Sequence, residues 1–221
     1  MNIDISSPQL IFWDLDGTLI DSDALHTASM RHASLALGKT LPAQLGIPAG
    51  ANAPAAYRHL FGLAPRQPLP AHYAAWYGAA CDYVVSHMAG TAPLAAAVEC
   101  CAWFAARGLR QGLVSNSSPA VIEASLRHLG LRGYFGHLCS GDDVSQGKPA
   151  PDVYLRALDL HGVAAASCLV FEDSRTGIAA SRAAGLPVVA VTDAAELAAL
   201  GDFTVSPSQP DSWRALRRRL F

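Results

Sequence analysis

From about residue 94 to residue 191, short apolar runs alternate with segments that repeat apolar residues at helical spacing. That alternation constrains the fold more than any other feature. Helical patterns at 94–107, 120–129, 152–161 and 177–184 each stand beside an apolar run, at 111–115, 137–140, 168–171 and 187–191. One more run, Gln9 to Trp13, lies near the start of the chain and ends at Asp14. Strands separated by helices pair in parallel, and a parallel strand is covered on both faces. This explains why GLV, CLVF and VVAV are unbroken rather than alternating with polar residues. The expected class is α/β, with a doubly wound, mostly parallel sheet. Between the first strand and the rest lie helical patterns at 24–37, 53–61 and 72–88, a stretch dense in Pro, Gly and Ala at 41–70, and a hinge at Ala89-Gly90-Thr91. Residues 21–89 therefore read as an inserted α-helical domain, with 1–20 and 90–221 forming the core.

Composition narrows the function classes. The chain has 221 residues, 51% of them apolar, with 16 Lys and Arg against 18 Asp and Glu. Such an apolar fraction excludes disorder, and the near-neutral balance argues against nucleic acid as a partner. The expectation is a cytoplasmic protein with no membrane partner, a monomer or weak homodimer. The most apolar stretch, Pro93 to Ala106, is too short to span a bilayer, and Met1 to Pro8 has no basic-then-apolar signal pattern. Five cysteines without a CxxC read as reduced thiols. Fourteen of the sixteen cations are Arg, so Lys39 and Lys148 each raise the question of why lysine was needed.

In an open parallel sheet the ligand site lies outside the carboxyl ends of the strands, near the point where strand order reverses. Asp14-Leu15-Asp16-Gly17-Thr18 follow the first strand and Ser115-Asn116-Ser117 the second. Gly147-Lys148-Pro149 come after the third, and Glu172-Asp173-Ser174 after the fourth. Each group alone has an ordinary structural reading, as a turn, a helix N-cap or a solvated loop. Together they bring four carboxylates to one edge, which requires either protonation or a bound cation. All the ligands on offer are oxygens, which selects a hard ion such as Mg²⁺ over Zn²⁺. Mg²⁺ takes phosphate oxygens readily, and Ser115 and Lys148 are suitable phosphate partners. Phosphoryl transfer with a carboxylate nucleophile follows as the expected chemistry.

These four segments, FWDLDGTLIDS, LVSNSS, SGDDVSQGKPAPDVY and FEDSRTGIAASRAAG, resemble the four motifs of the haloacid dehalogenase-like hydrolases. The resemblance is to the branch that includes phosphoglycolate phosphatase and β-phosphoglucomutase. It implies a Rossmann-like core with a small helical cap between the first two motifs. It further implies Asp14 as nucleophile forming an aspartyl-phosphate, Asp16 as general acid/base, and Lys148 neutralising charge beside the phosphoryl group. Ser115 and Asn116 would hold the phosphoryl group, with Thr18 and His26 completing the substrate-binding set. Asp14, Asp173 and the Asp16 carbonyl would bind Mg²⁺, and Glu172 would support or join them. Gly17 allows the sharp turn that Thr18 fixes. Asp16 must carry a proton, and neighbouring anions are expected to raise its pKa. Since the family's dehalogenases lack this second Asp, dehalogenation is disfavoured.

The expected function is hydrolysis of a small phosphorylated metabolite, a sugar phosphate or a phosphoglycolate-like ester. A β-phosphoglucomutase-like mutase is the alternative, and a non-enzymatic phospho-accepting receiver a weaker one. A mutase must hold a second phosphate on its cap. In Gly46-Ile47-Pro48-Ala49, Ala49 is the nearest match to the basic residue of mutase-like chains. The other cap cations are Arg31, His32, Lys39, Arg58, His59 and Arg66, read as solvated helix faces. His26, just past the hinge, either faces the active site or is a surface residue. Tyr73, Trp76, Tyr77 and Tyr83 are expected in the cap core, Trp13 in the sheet packing, and the Arg214–Arg219 tail on the outer face of a docked helix.

Overall fold

The computed structural model describes residues 7–48 and 50–221; residues 1–6 and Ala49, and with them the readings of the N-terminal segment and of Ala49, lie outside the described residues. Six parallel strands form the central sheet: β1 (Leu10–Trp13), β4 (Arg110–Ser115), β5 (His137–Ser140), β6 (Cys168–Glu172), β7 (Val188–Val191) and β8 (Phe203–Val205). Their order is β5-β4-β1-β6-β7-β8, so the chain builds outward on one side of β1, then returns to build on the other. The switch point therefore falls at the carboxyl end of β1, where Asp14 stands.

Strand alternation sends successive side chains to opposite faces. Ile11, Trp13, Leu113, Phe171 and Val189 enter one core, while Leu10, Phe12, Val114, Val170 and Val188 enter the other. The first core is covered by α4 (Ala95–Ala105), α5 (Pro119–His128) and α9 (Pro210–Leu220), the second by α6 (Asp152–His161) and α7 (Arg175–Ala183). Trp13 is wholly buried in this packing, stacked on Phe171 at 4.3 Å and donating its indole N–H to Gln111 at 2.8 Å. Trp213 of α9 stacks on Phe171 at 5.6 Å, so the terminal helix docks by its apolar side. Arg214, Arg218 and Arg219 are exposed as expected, whereas Arg217 is largely covered, lying over the Trp103 ring at 5.4 Å and reaching Glu99 at 3.2 Å. All five cysteines are free thiols.

The three cap helices are α1 (Asp23–Ala36), α2 (Ala53–Phe61) and α3 (Tyr73–His87). They pack around a small core of their own, with Tyr57, Leu60 and Trp76 at its centre. The Trp76 indole donates to Ser34 at 3.0 Å, and Asn52 caps α2 by accepting from the Ala55 N–H at 3.0 Å. The chain enters and leaves this layer side by side, through the antiparallel pair β2 (Ile20–Asp21) and β3 (Ala92–Pro93). Two residues per strand leave no periodicity in the sequence. The same brevity hides β8 and the single-turn α8 (Ala195–Ala198) at the far edge of the sheet.

Candidate active site

Asp14 continues β1, its N–H donating to the Phe171 carbonyl at 3.0 Å. Its carboxylate accepts from Lys148 Nζ at 2.6 Å. The same ammonium donates to the Val114 carbonyl at 2.8 Å and to Glu172 Oε1, so all three of its protons are used. Lys148 is almost wholly buried, and burial alone would favour its neutral form. The charges of Asp14 and Glu172 outweigh that and push its pKa well above the usual lysine range. A compact ammonium fits here, where three short bonds diverge from one atom; a planar guanidinium would not.

The loop that carries Lys148 is held by Asn116. Its carboxamide oxygen accepts from the Lys148 N–H at 2.8 Å, and its amide nitrogen donates to the Lys148 carbonyl at 3.2 Å and to the Gly50 carbonyl at 2.9 Å. The Asn116 side chain thus ties two loops together, one from the core and one from the cap. Glu172 is the last residue of β6 and has no exposed surface. It accepts from Lys148, from the Tyr154 hydroxyl at 2.7 Å and from Ser174 at 3.4 Å. It therefore stands behind Lys148, beneath the cavity floor. Gly177 in the first turn of α7 allows that position, because a Cβ there would overlap the Glu172 carboxylate.

Thr18 is also buried, its hydroxyl donating to Asp173 Oδ1 at 3.4 Å. Gly17 between them has φ +81°, and a Cβ on it would strike the Asp173 carboxylate. Both the turn and the close approach thus require glycine.

Asp16 differs from the expectation. Burial pushes its carboxyl up, but the charge and hydrogen bond of His26, with hydrogen bonds from Ser22 and Ser117, hold it well below the usual range. His26 Nε2 lies 2.8 Å from Oδ1, Ser22 Oγ 2.6 Å from the same oxygen, and Ser117 Oγ 2.7 Å from Oδ2. The expected upward shift is corrected: the Asp16 carboxyl is held low by its partners, and the His26 imidazole is raised, with Asp16 working against the effect of burial. His26 thus faces the site. The sequence places Ser117 at the edge within Ser115-Asn116-Ser117 without assigning it a role, and does not single out Ser22, because each resembles a helix-capping serine. Ser22 stands at the N-cap of α1 yet makes no capping bond, its hydroxyl being spent on Asp16.

One carboxylate oxygen from each of Asp14, Glu172 and Asp173 lies within 4.8 Å of the others. Burial and then Glu172 raise both the Asp14 and Asp173 carboxyls, Asp173 to about 7. Four carboxylates share two cations here, Lys148 and His26, leaving an anionic excess that an oxygen-loving divalent ion would relieve. The donor set fits such an ion. Above it opens a cavity of about 540 Å³, with Asp14, Asp16, Ser115, Lys148 and Asp173 on its floor and α1, α3, residues 43–48 and residues 50–51 as its far wall. Tyr77 of α3 lines it and donates to Asp142 of the core at 2.8 Å.

The model of the haloacid dehalogenase-like hydrolases matches residues 8–185. The chain belongs to that family. Phosphoglycolate phosphatase of Xanthomonas campestris is 31% identical over 216 residues, covering 94% of this chain and 90% of that one. Protein CbbY of Rhodobacter capsulatus is 46% identical over 87 residues, and the match spans 38% of each chain, well under half of that relative's length. The crystal structure of CbbY from Rhodobacter sphaeroides with phosphate superposes with a TM-score of 0.80 at 25% identity, covering 96% of this chain and 99% of that one. A second structure of CbbY from that organism, with xylulose-(1,5)bisphosphate, gives 0.79. These neighbours share the parallel-sheet core of the family. Among the described residues no helix is long and apolar enough to cross a membrane.

Proposed function

We propose that the chain is a Mg²⁺-dependent phosphatase acting on a small phosphomonoester of the sugar phosphate or phosphoglycolate type. In this reading the core, 1–20 and 90–221, performs the chemistry and the cap, 21–89, encloses the leaving group. The observation that carries it is the floor of the cavity. Asp14 is held there by an ammonium at 2.6 Å, two residues before the Asp16 of an Asp16–His26 pair at 2.8 Å.

The residues divide the work by their surroundings. Lys148 fixes one oxygen of Asp14, and the other is the attacking atom. Its bond to phosphorus forms as the ester oxygen–phosphorus bond breaks, giving an aspartyl-phosphate. The leaving alkoxide needs a proton, and the Asp16–His26 pair holds one in a short hydrogen bond at the cavity floor. Asp16 passes it on and later takes a proton from the water that attacks the aspartyl-phosphate. Ser115 lines the floor between Asp16 and Lys148 and offers a hydroxyl to the phosphoryl oxygens. Asn116 sets the position of Lys148 through two backbone bonds. Asp14, Asp173 and the Asp16 carbonyl would hold the ion, with Glu172 behind them. Bound there, Mg²⁺ offsets the charge of the phosphate and of the clustered carboxylates.

The test is hydrolysis of p-nitrophenyl phosphate in Mg²⁺ by wild type and Asp14→Asn. The expected loss is at least about a thousandfold in kcat. A variant that keeps a tenth of wild-type turnover overturns the nucleophile assignment.

A further inference from the structure

Apart from His26, the basic side chains of the cap among the described residues lie away from the cavity, and most have a partner elsewhere. Arg31 donates to the carbonyls of Leu41, Pro42 and Ala43 at 3.1, 2.7 and 2.6 Å, pinning the start of the loop that forms the far wall. His59 bonds the Leu45 carbonyl of the same loop at 2.8 Å, and Arg58 the Gln67 carbonyl at 3.0 Å. Lys39 lies over the Phe61 ring at 4.7 Å, which accounts for the second lysine of the chain. His72 meets the Tyr57 hydroxyl at 2.6 Å, and His32 packs on the Tyr83 ring at 5.0 Å. Arg66 is exposed and does not line the cavity.

Among the described residues that line the cavity, the cations are Lys148 and His26, both already paired with carboxylates at its floor. The far wall instead presents Met30, Leu45, Ile47 and Trp76, with Thr27 and Gln44 as neutral polar groups. Among the described residues its charged side chains are His26, already engaged by Asp16, and Asp23, a carboxylate. Such a wall leaves an anion on the leaving group desolvated, without a partner and facing a like charge. A neutral leaving group with hydroxyls meets apolar surface and a few hydrogen-bonding groups, the usual make-up of a small-molecule site. The volume, about 540 Å³, accommodates a leaving group larger than glycolate.

We infer that the preferred substrate carries one phosphate on an uncharged, hydroxylated leaving group, and that the cap discriminates against esters with a second phosphate or a carboxylate. The inference rests on the phosphatase reading above and narrows it. A far wall whose basic group among the described residues, His26, is already paired with Asp16 also offers no free holding point for the second phosphate that a phosphosugar mutase requires.

Two matched pairs test it, as competitors of p-nitrophenyl phosphate with wild-type protein in Mg²⁺: 2-hydroxyethyl phosphate against phosphoglycolate, and glucose 6-phosphate against glucose 1,6-bisphosphate. Each neutral member is expected to compete with an inhibition constant at least about tenfold lower than its anionic partner. A smaller gap, a reversed order, or no competition by either neutral member overturns the inference while leaving the phosphatase reading intact. Failure to hydrolyse p-nitrophenyl phosphate removes the phosphatase reading itself and the inference with it. Ile47→Arg, which sets a guanidinium on the far wall, is expected to narrow the bisphosphate gap severalfold. An unchanged gap in that variant shows that the wall does not discriminate, and the inference falls.

Discussion

The carboxyl edge of the sheet and the helical cap above it handle charge in opposite ways. At the edge, charged groups are buried and each is answered by another: Lys148 by Asp14 and Glu172, His26 by Asp16. In the cap, charged groups stay near the surface and bond to backbone carbonyls or aromatic rings. A buried charge is tolerable only when paired, but a paired charge in low dielectric is also a strong and fixed one. The core therefore concentrates its field at one point, and the cap adds no unpaired cation to the space above it among the described residues. In the proposed function, that contrast separates reaction from selection on the two sides of one cavity.

Removing Lys148 breaks the contrast most severely. Lys148→Met leaves Asp14 and Glu172 buried without their cation, and the expected loss of stability is about 3–5 kcal/mol, measured by urea unfolding. Stability within about 1 kcal/mol of wild type would mean that the pairing is not what makes the buried carboxylates tolerable.

His26 belongs to a cap helix but pairs with the core, so it tests where the boundary lies. His26→Gln is expected to slow hydrolysis of an alkyl phosphate by about a hundredfold, since its alkoxide needs a proton to leave. p-Nitrophenolate leaves without one, so that ester should be slowed far less. Equal losses on both esters would make His26 a structural partner of Asp16 only.

An effect away from the site comes from the one buried side-chain atom without a partner among the described residues, Nε2 of His161. It sits against Phe12 and the His137 ring, with Arg110 on its carbonyl. Burial, followed by His137 and Arg110, lowers its pKa to about 4. The folded pKa is depressed below the ordinary value of about 6.5, so the unfolded chain binds the proton more tightly. The contribution of neutral His161 is thus fully present above about pH 6.5 and is lost as pH falls towards 4, at up to about 1.4 kcal/mol per pH unit. His161→Gln should flatten that part of the stability curve, read from urea midpoints between about pH 4.5 and 7. An unchanged slope assigns the acid sensitivity to other groups.

The core was legible because parallel strands must be apolar on both faces, so LIFW, CLVF and VVAV announce themselves. Elements too short for a period, β2, β3, β8 and α8, were not legible. In the site, the order of motifs along the chain brought Asp14, Ser115, Lys148 and Asp173 to one edge, because parallel strands share a direction. The partners of those residues were hidden wherever they come from elements distant in sequence. Ser117 is about a hundred residues from Asp16, and Tyr154 donates to Glu172 from the first turn of α6. The cap cations looked like a solvated face, and their carbonyl and ring partners emerged only once the loops were folded back on the helices.

By itself, the sequence determined a doubly wound core, an interrupting helical segment and a line of oxygen-bearing residues at the strand ends. It did so because strand periodicity and turn chemistry are local properties of the chain. The protonation of that line was decided only in three dimensions. The sequence shows how many carboxylates reach the edge, but not that a cap histidine and two serines meet one of them within 2.8 Å. A pKa depends on distance and burial through the low-dielectric interior, and neither is written in the order of residues.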